Sequence, residues 1–215
     1  MEQGHEPRPL RSALSTHSPG GIYLARHGQT AYNKEGRFQG QQQIPLDQTG
    51  REQARELAER AVAYGFAALW CSPLRRARET ADAVAARIGL EPVEDARFME
   101  TDAGDWTNRT FVEVRAQAPE LFDAFASAQP DFAFPGGESF AEQEVRVDAG
   151  LQRVQAGALP ALVVCHGMVI RAALYTRVRD GLLPFTRVPN AAIVPLDPEE
   201  AASAELGGGE ATAPS

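Results

Sequence analysis

Ile22-Tyr23-Leu24-Ala25-Arg26-His27-Gly28-Gln29-Thr30 is the stretch that decides the fold. Its apolar run stops abruptly at an arginine, a histidine and a glycine. An apolar run of this length, bounded by Gly and polar residues, predicts a buried strand. In open α/β sheets ligands bind beyond the carboxyl ends of the strands, where side chains reach a crevice from rigid supports. Arg26 and His27 fall at such an end. Gly28 carries no Cβ, so its backbone is free to approach a ligand closely or to turn at positive φ. Arginine offers an oxyanion a planar fork of donors, and histidine a titratable nitrogen.

Working outward, a polar loop is expected over Thr30–Gln48, then a helix over about 50–63 opened by a capping box at Thr49 and Glu52. Phe66–Cys71 predicts a second buried strand, and it too ends in polar chemistry, Ser72-Pro73-Leu74-Arg75-Arg76. A helix through Ala77, Ala81, Val84 and Ile88 follows, with Gly89 where a C-terminal cap belongs. Pro92–Phe98 predicts a third strand. Thr110 with Glu113 forms another capping box, opening a helix that Pro119 interrupts or restarts, and Ser139 with Glu142 opens a helix running to about Gln155. Ala161–Cys165 is a fourth strand, ending in His166-Gly167 where a helix begins at once. Ala191–Leu196 is a last strand. Strands alternating with helices predict a doubly wound α/β fold: a three-layer sandwich with a mostly parallel sheet and helices on both faces. Seven of the ten phenylalanines fall between Phe98 and Phe140, which predicts a small aromatic-rich cap insertion over about 99–138. The expected organisation is a flexible leader (1–20), one domain (21–196) and a disordered acidic tail (197–215).

The 215 residues suffice for one α/β domain, and the formal net charge of −8 argues against a nucleic acid or an anionic membrane as partner. Cys71 and Cys165 lie far apart at the ends of apolar runs, the usage of small buried residues in a reducing compartment. No apolar run approaches the roughly 20 residues needed to span a bilayer. Met1–Gly20 lacks the apolar centre of a secretory signal, so a cytoplasmic, soluble protein is expected. His5 and His17 read as solvated bystanders in the leader.

Three strands thus end in His or Arg. If they are near neighbours, Arg26-His27, Arg76 and His166 converge on one crevice, and the helix beginning beside His166 adds amides and a dipole that favour an anion. Such a positive pocket in an acidic protein suits a doubly charged phosphate better than a metal. Metal-binding histidines usually bring carboxylate or Cys companions, and none is adjacent here, so neither a metal nor a cofactor is expected.

These residues also carry a family resemblance. Arg26-His27-Gly28-Gln29-Thr30 with Asn33 resembles the Arg-His-Gly signature of the histidine phosphatase superfamily, the phosphoglycerate-mutase-like fold. Phe38-Gln39-Gly40, Pro45-Leu46 and Gly50 with Gln53-Ala54 match the segment after it. Ser72-Pro73-Leu74 with Arg76-Ala77 and Thr80-Ala81 matches the second-arginine motif. Glu100 with Gly104 and Trp106, then Gly136-Gly137-Glu138-Ser139, then His166-Gly167, complete the series in order, over about residues 21–196. Two positions depart from the pattern: Thr107-Asn108 stand where Glu-Gly is usual, and Tyr32 where Trp is usual. The first departure bears on substrate preference rather than on chemistry.

The resemblance implies that His27 attacks phosphorus and forms a phosphohistidine, with Arg26 and Arg76 disfavouring its protonation. Arg26, Arg76 and His166 would hold the phosphoryl oxygens, with a further hydrogen bond from Asn33 and phosphate-side positions at Gly28, Thr30 and Gly167. Glu100 is the candidate general acid, with Asp102 and Asp105 as rivals. Arg75 and Arg78 read as surface charges, and Ser72 as a helix cap. The expected activity is metal-independent hydrolysis of small phosphate esters. The mutase alternative is disfavoured by a short interval between Trp106 and Pro135 and little structured chain beyond Leu174. A phosphate- or phosphopeptide-binding module without turnover is the alternative of another class. Arg37 and Arg109 are candidates for a second anionic group, whereas the aromatic cap would accept an apolar one. The reading requires the two imidazoles to lie within about 8 Å of each other, the reach across one phosphoryl group, and the side chains of Arg26, His27, Arg76, Glu100 and His166 to share one cavity.

Overall fold

The buried run after Gly21 becomes the strand β1 (Ile22–Arg26) in a computed structural model that describes residues 21–175 and 188–197. The expected leader and all but the first residue of the expected tail lie outside the described residues. β2 (Ala68–Cys71), β3 (Pro92–Glu94), β4 (Ala161–Cys165) and β5 (Ile193–Pro195) complete a five-stranded sheet of order β3-β2-β4-β1-β5. Four strands run parallel, and β5 pairs antiparallel with the outer side of β1. β4 thus lies between β1 and β2, strands far from it in sequence.

Both faces of this sheet are covered, so its strands read as continuous apolar runs rather than alternating ones. The period-2 geometry of β1 nevertheless divides its side chains. Tyr23 and Ala25 face α2 (Gln48–Ala61) and α3 (Arg75–Ile88), where Leu57, Ala58, Ala77, Ala81 and Val84 close one core. Ile22 and Leu24 face α6 (Phe140–Gln155) and α7 (Gly167–Tyr175), where Val147, Leu151, Val154, Val169 and Ile170 close the other. A third cluster joins Phe38, Trp106, Val114, Phe132, Phe134 and Phe140, with Phe122 and Phe125 packed against it. It is the expected aromatic cap. Pro119 restarts the helix, separating α4 (Phe111–Gln117) from α5 (Pro119–Ala126), and the capping boxes at Thr110 and Ser139 form as expected.

Five boundaries differ from the expectation: β2 begins at Ala68 rather than Phe66, β5 covers Ile193–Pro195 rather than Ala191–Leu196, and three others have a local cause. α2 begins two residues early because Asp47, not Thr49, caps it, its carboxylate accepting from the Gly50 amide at 2.7 Å. The Thr30–Gln48 segment is not all loop. It carries α1 (Ala31–Glu35), opened by a capping box in which Asn33 takes the place usually held by Glu or Gln. β3 stops at Glu94 because the Asp95 side chain accepts from the Arg97 amide, folding Ala96–Phe98 into a single 3₁₀ turn. Asp95 is then pinned by ion pairs to Arg97 and Arg153. Cys71 and Cys165 are buried free thiols, and burial pushes Cys71 up to about 12.

Candidate active site

The register of the parallel pair β1–β4 builds the centre of the site. Arg26 stands opposite Cys165, so the next residues, His27 and His166, leave adjacent strands side by side at their carboxyl ends. The His27 amide donates to the Cys165 carbonyl at 3.0 Å, carrying the pairing one residue past β1. The two imidazole centroids are 5.2 Å apart, inside the limit set by one phosphoryl group. Neither ring is more than 2% exposed.

The partners of His27 fix its tautomer. Nδ1 lies 2.6 Å from the Gly28 carbonyl, which can only accept, so Nδ1 carries the proton. Nε2 lies 3.3 Å from Arg76 Nε, which can only donate, so Nε2 presents a lone pair. Burial drives the His27 pKa well below its usual value, and the charges of Arg76 and Arg26 push the same way, against the Gly28 carbonyl. The arginines act as expected, but burial is the larger cause. His166 is also held neutral, by burial first and then by Arg76, His27, Arg146 and Arg26. Its Nε2 is 2.8 Å from Ser72 Oγ, while Nδ1 is buried with no partner among the described residues. Ser72 is therefore not the cap of α3, whose N-cap is Leu74; its hydroxyl orients His166 and accepts from the Leu74 amide.

Arg76 projects from the first turn of α3 and is fully buried. It donates at 2.9 Å to the carbonyls of Gln42 and Gly40 as well as to His27, leaving two of its five N–H groups uncommitted. Burial lowers its pKa to about 10, still charged at neutral pH. Arg75 and Arg78 do pair with acidic surface residues, Arg75 with Glu79 and Arg78 with Asp82 and Glu94. Arg26 lines a cavity and donates to the Val188 carbonyl at 2.6 Å.

That cavity has a volume of about 260 Å³. Arg26, Asn33, Glu100 and Gly167 line it together with phenylalanines of the cap, whereas the buried His27, Arg76 and His166 are not among its lining residues. Of the three candidate acids, Glu100 alone lines the cavity; Asp102 and Asp105 are exposed outside it. The Glu100 segment is braced from behind. Arg146 donates to the carbonyls of Arg97 and Met99, each at 2.7 Å, and pairs with Glu138, whose other contact is the Asp102 amide. Asn33 commits Oδ1 to the Thr30 cap and to Asn190, leaving Nδ2 without a partner among the described residues.

Gly28 and Thr30 are placed differently from the expectation. The space a Cβ on Gly28 would fill belongs to the α2 backbone, 2.3 Å from the Gly50 oxygen, and its amide donates to Thr80. Thr30 is fully buried, its hydroxyl spent on capping α1 and on Gln39. Both build the scaffold rather than line the cavity. Arg109 also lies outside the lining, bonded to Gln117, while Arg37 lines it but is paired with Glu35 at 2.6 Å.

The two departures from the family pattern touch each other. Tyr32 Oη donates to Asn108 Oδ1 at 3.0 Å, and Asn108 adopts φ +70°, the left-handed region that Gly fills freely and Asn tolerates. Arg37 donates to the Asn108 carbonyl, so one asparagine ties two residues of the cavity rim. Sequence reasoning missed this link, and also Arg146, Asn190, Met168 and Arg171. Gln39, in contrast, stood inside a quoted motif. No metal-binding group of three or more His, Cys, Asp or Glu occurs among the described residues, and no described helix is long and apolar enough to cross a membrane.

The chain resembles known proteins in sequence and in fold. Residues 22–205 match the family described as "Histidine phosphatase superfamily (branch 1)". The chain is 34% identical over 177 residues to the Arabidopsis thaliana "Phosphoglycerate mutase-like protein 4", covering 80% of this chain and 76% of that one. It is 34% identical over 158 residues to the "Probable phosphoglycerate mutase GpmB" of Enterobacter sp. (strain 638), covering 72% and 73%. Among solved structures, a mycobacterial glucosyl-3-phosphoglycerate phosphatase in complex with VO3 superposes with a TM-score of 0.75 at 30% identity, over 82% of this chain and 92% of that one. Bacillus stearothermophilus YhfR superposes with a TM-score of 0.70 at 34% identity, over 79% and 85%.

Proposed function

The chain belongs to the histidine phosphatase superfamily, and from that premise we propose that it is a metal-independent phosphomonoesterase working through a phosphohistidine on His27. The observation that carries the reading is the His27 tautomer. A neutral imidazole with its Nε2 lone pair turned toward a buried arginine is a nucleophile held in its reactive form, and simple anion binding has no need of one.

In the first half-reaction the Nε2 lone pair attacks phosphorus, and the ester P–O bond breaks with its electron pair going to the leaving oxygen. Glu100, as general acid, delivers a proton to that oxygen and is left as carboxylate. In the second half-reaction the same carboxylate takes a proton from water as the water oxygen attacks phosphorus. The P–N bond then breaks, returning the electron pair to Nε2 and releasing inorganic phosphate. The two uncommitted N–H groups of Arg76, Arg26, Asn33 Nδ2 and His166 Nδ1 are the groups offered to the equatorial oxygens. To donate through Nδ1, His166 must carry its proton there, with Nε2 accepting from the Ser72 hydroxyl. Positive side chains and helix amides meet the phosphoryl charge, the role a metal plays elsewhere.

A rapid quench with p-nitrophenyl phosphate should trap an acid-labile, alkali-stable phosphoenzyme that is absent from His27→Ala. Undiminished hydrolysis by His27→Ala, or loss of all activity in chelator, overturns the proposal. The names of the relatives favour a second reading, phosphoglycerate mutase. Interconversion of 3- and 2-phosphoglycerate at a rate exceeding phosphate release would establish it instead.

A further inference from the structure

The cavity has a lining that a phosphate site does not require. Phe111, Phe122, Phe125, Phe134 and Met168 line it, so a leaving group extending from the phosphorus meets aromatic and thioether surface. This wall is built from within the fold. Phe122 and Phe125 project from α5 onto the buried Trp106, with ring centroids 6.3 and 5.8 Å from its own. Phe111 stands against Phe38 at 4.5 Å. The rings are therefore held in place before any ligand arrives.

Several polar side chains of the lining already have partners within the chain. The Tyr32 hydroxyl donates to Asn108. Arg37 is paired with Glu35 and bonded to the Asn108 carbonyl. The Arg171 guanidinium lies over the Phe140 ring, 5.1 Å from its centroid. A sugar or a phosphoglycerate placed here would give up water around its hydroxyls or carboxylate against a wall that is largely aromatic. An apolar body would lose nothing comparable.

We infer that the substrates of this site are phosphate monoesters of alcohols with an apolar ring or branched hydrocarbon body, rather than phosphoglycerates or sugar phosphates. The inference rests on the phosphomonoesterase reading and narrows it to a substrate class. The test compares two alkyl esters of matched leaving-group chemistry, cyclohexylmethyl phosphate and glycerol 3-phosphate, with 3-phosphoglycerate as a third substrate. Burying a ring in place of two hydroxyls should favour cyclohexylmethyl phosphate in kcat/KM by on the order of 10- to 100-fold. Phe111→Ser is the matching variant, because Phe111 is 38% exposed and its replacement leaves the buried cap intact. It should raise KM for cyclohexylmethyl phosphate several-fold more than KM for glycerol 3-phosphate, with Phe111→Leu restoring most of the loss. Equal or greater kcat/KM for glycerol 3-phosphate or 3-phosphoglycerate, with p-nitrophenyl phosphate still hydrolysed, overturns the inference alone. A Phe111→Ser effect that is equal on all substrates does the same. No turnover of any ester, p-nitrophenyl phosphate included, overturns the phosphatase reading and this inference with it.

Discussion

Two neutral imidazoles locked inside the fold make acid the most telling perturbation of this protein. His27 and His166 both have pKa values well below 6.5 in the folded chain, and recover ordinary values when the chain unfolds. Below pH 6.5 the unfolded state therefore binds protons that the folded state refuses, and stability falls with pH. The stability associated with the neutral rings is fully present above the unfolded pKa and is lost as pH drops toward the folded one. For one histidine with a strongly depressed pKa, lowering pH from 7.5 to 5.5 costs about 1.4 kcal/mol, and for the pair about 2.7 kcal/mol. With a urea m-value near the upper end of the usual range, about 3 kcal/mol/M, the unfolding midpoint should move down by roughly 1 M. Urea titrations at pH 7.5, 6.5 and 5.5 read this directly, and His27→Gln/His166→Gln should lose most of the slope. The comparison concerns slopes, so any intrinsic change in the variant's stability drops out. A double variant whose midpoint falls with pH as steeply as the parent's would refute the assignment of two buried neutral rings.

Two further substitutions probe the scaffold. Ser72→Ala removes the partner of His166 Nε2 and should cost about 1–3 kcal/mol in urea unfolding. It should also lower kcat/KM for p-nitrophenyl phosphate by about tenfold, with Ser72→Thr restoring part of both; an unchanged kcat/KM in Ser72→Ala would show that the hydroxyl does not position the ring. Gly28→Ala drives a Cβ to 2.3 Å from the Gly50 oxygen and should cost on the order of 3 kcal/mol or abolish folding. Gly65→Ala, at φ +61° with nothing within 4 Å, should cost only about 1 kcal/mol. Equal thermal shifts for the two would contradict the close approach of the Gly28 and Gly50 backbones.

What was legible in the sequence was whatever depends on a few consecutive residues. Apolar runs ending in Arg-His or His-Gly mark strands and their functional ends, because a buried strand must be apolar until the chain leaves the sheet. The Thr110 and Ser139 capping boxes are readable since both partners lie within four residues. Where two local solutions compete, the pattern misleads: Asp47 and Thr49 both suit an N-cap, and the carboxylate takes the Gly50 amide. The clustering of phenylalanines likewise announces a cap without saying which rings meet a ligand.

The sequence by itself determined the α/β class, the functional ends of β1, β2 and β4, and the residue types at the site. Tertiary structure alone decided that β4 inserts between β1 and β2 in the register that sets His27 beside His166. It also turned Ser72 from an expected cap into a partner of His166, Gly28 from a ligand contact into a seat for α2, and Arg146 from an unremarked helix residue into the brace behind Glu100. The physical reason is separation along the chain: Ser72 and His166 are 94 residues apart, and no local propensity encodes which distant donor will meet which acceptor. That choice is made when the two faces of the sheet are buried together and each polar group sealed inside must find a partner.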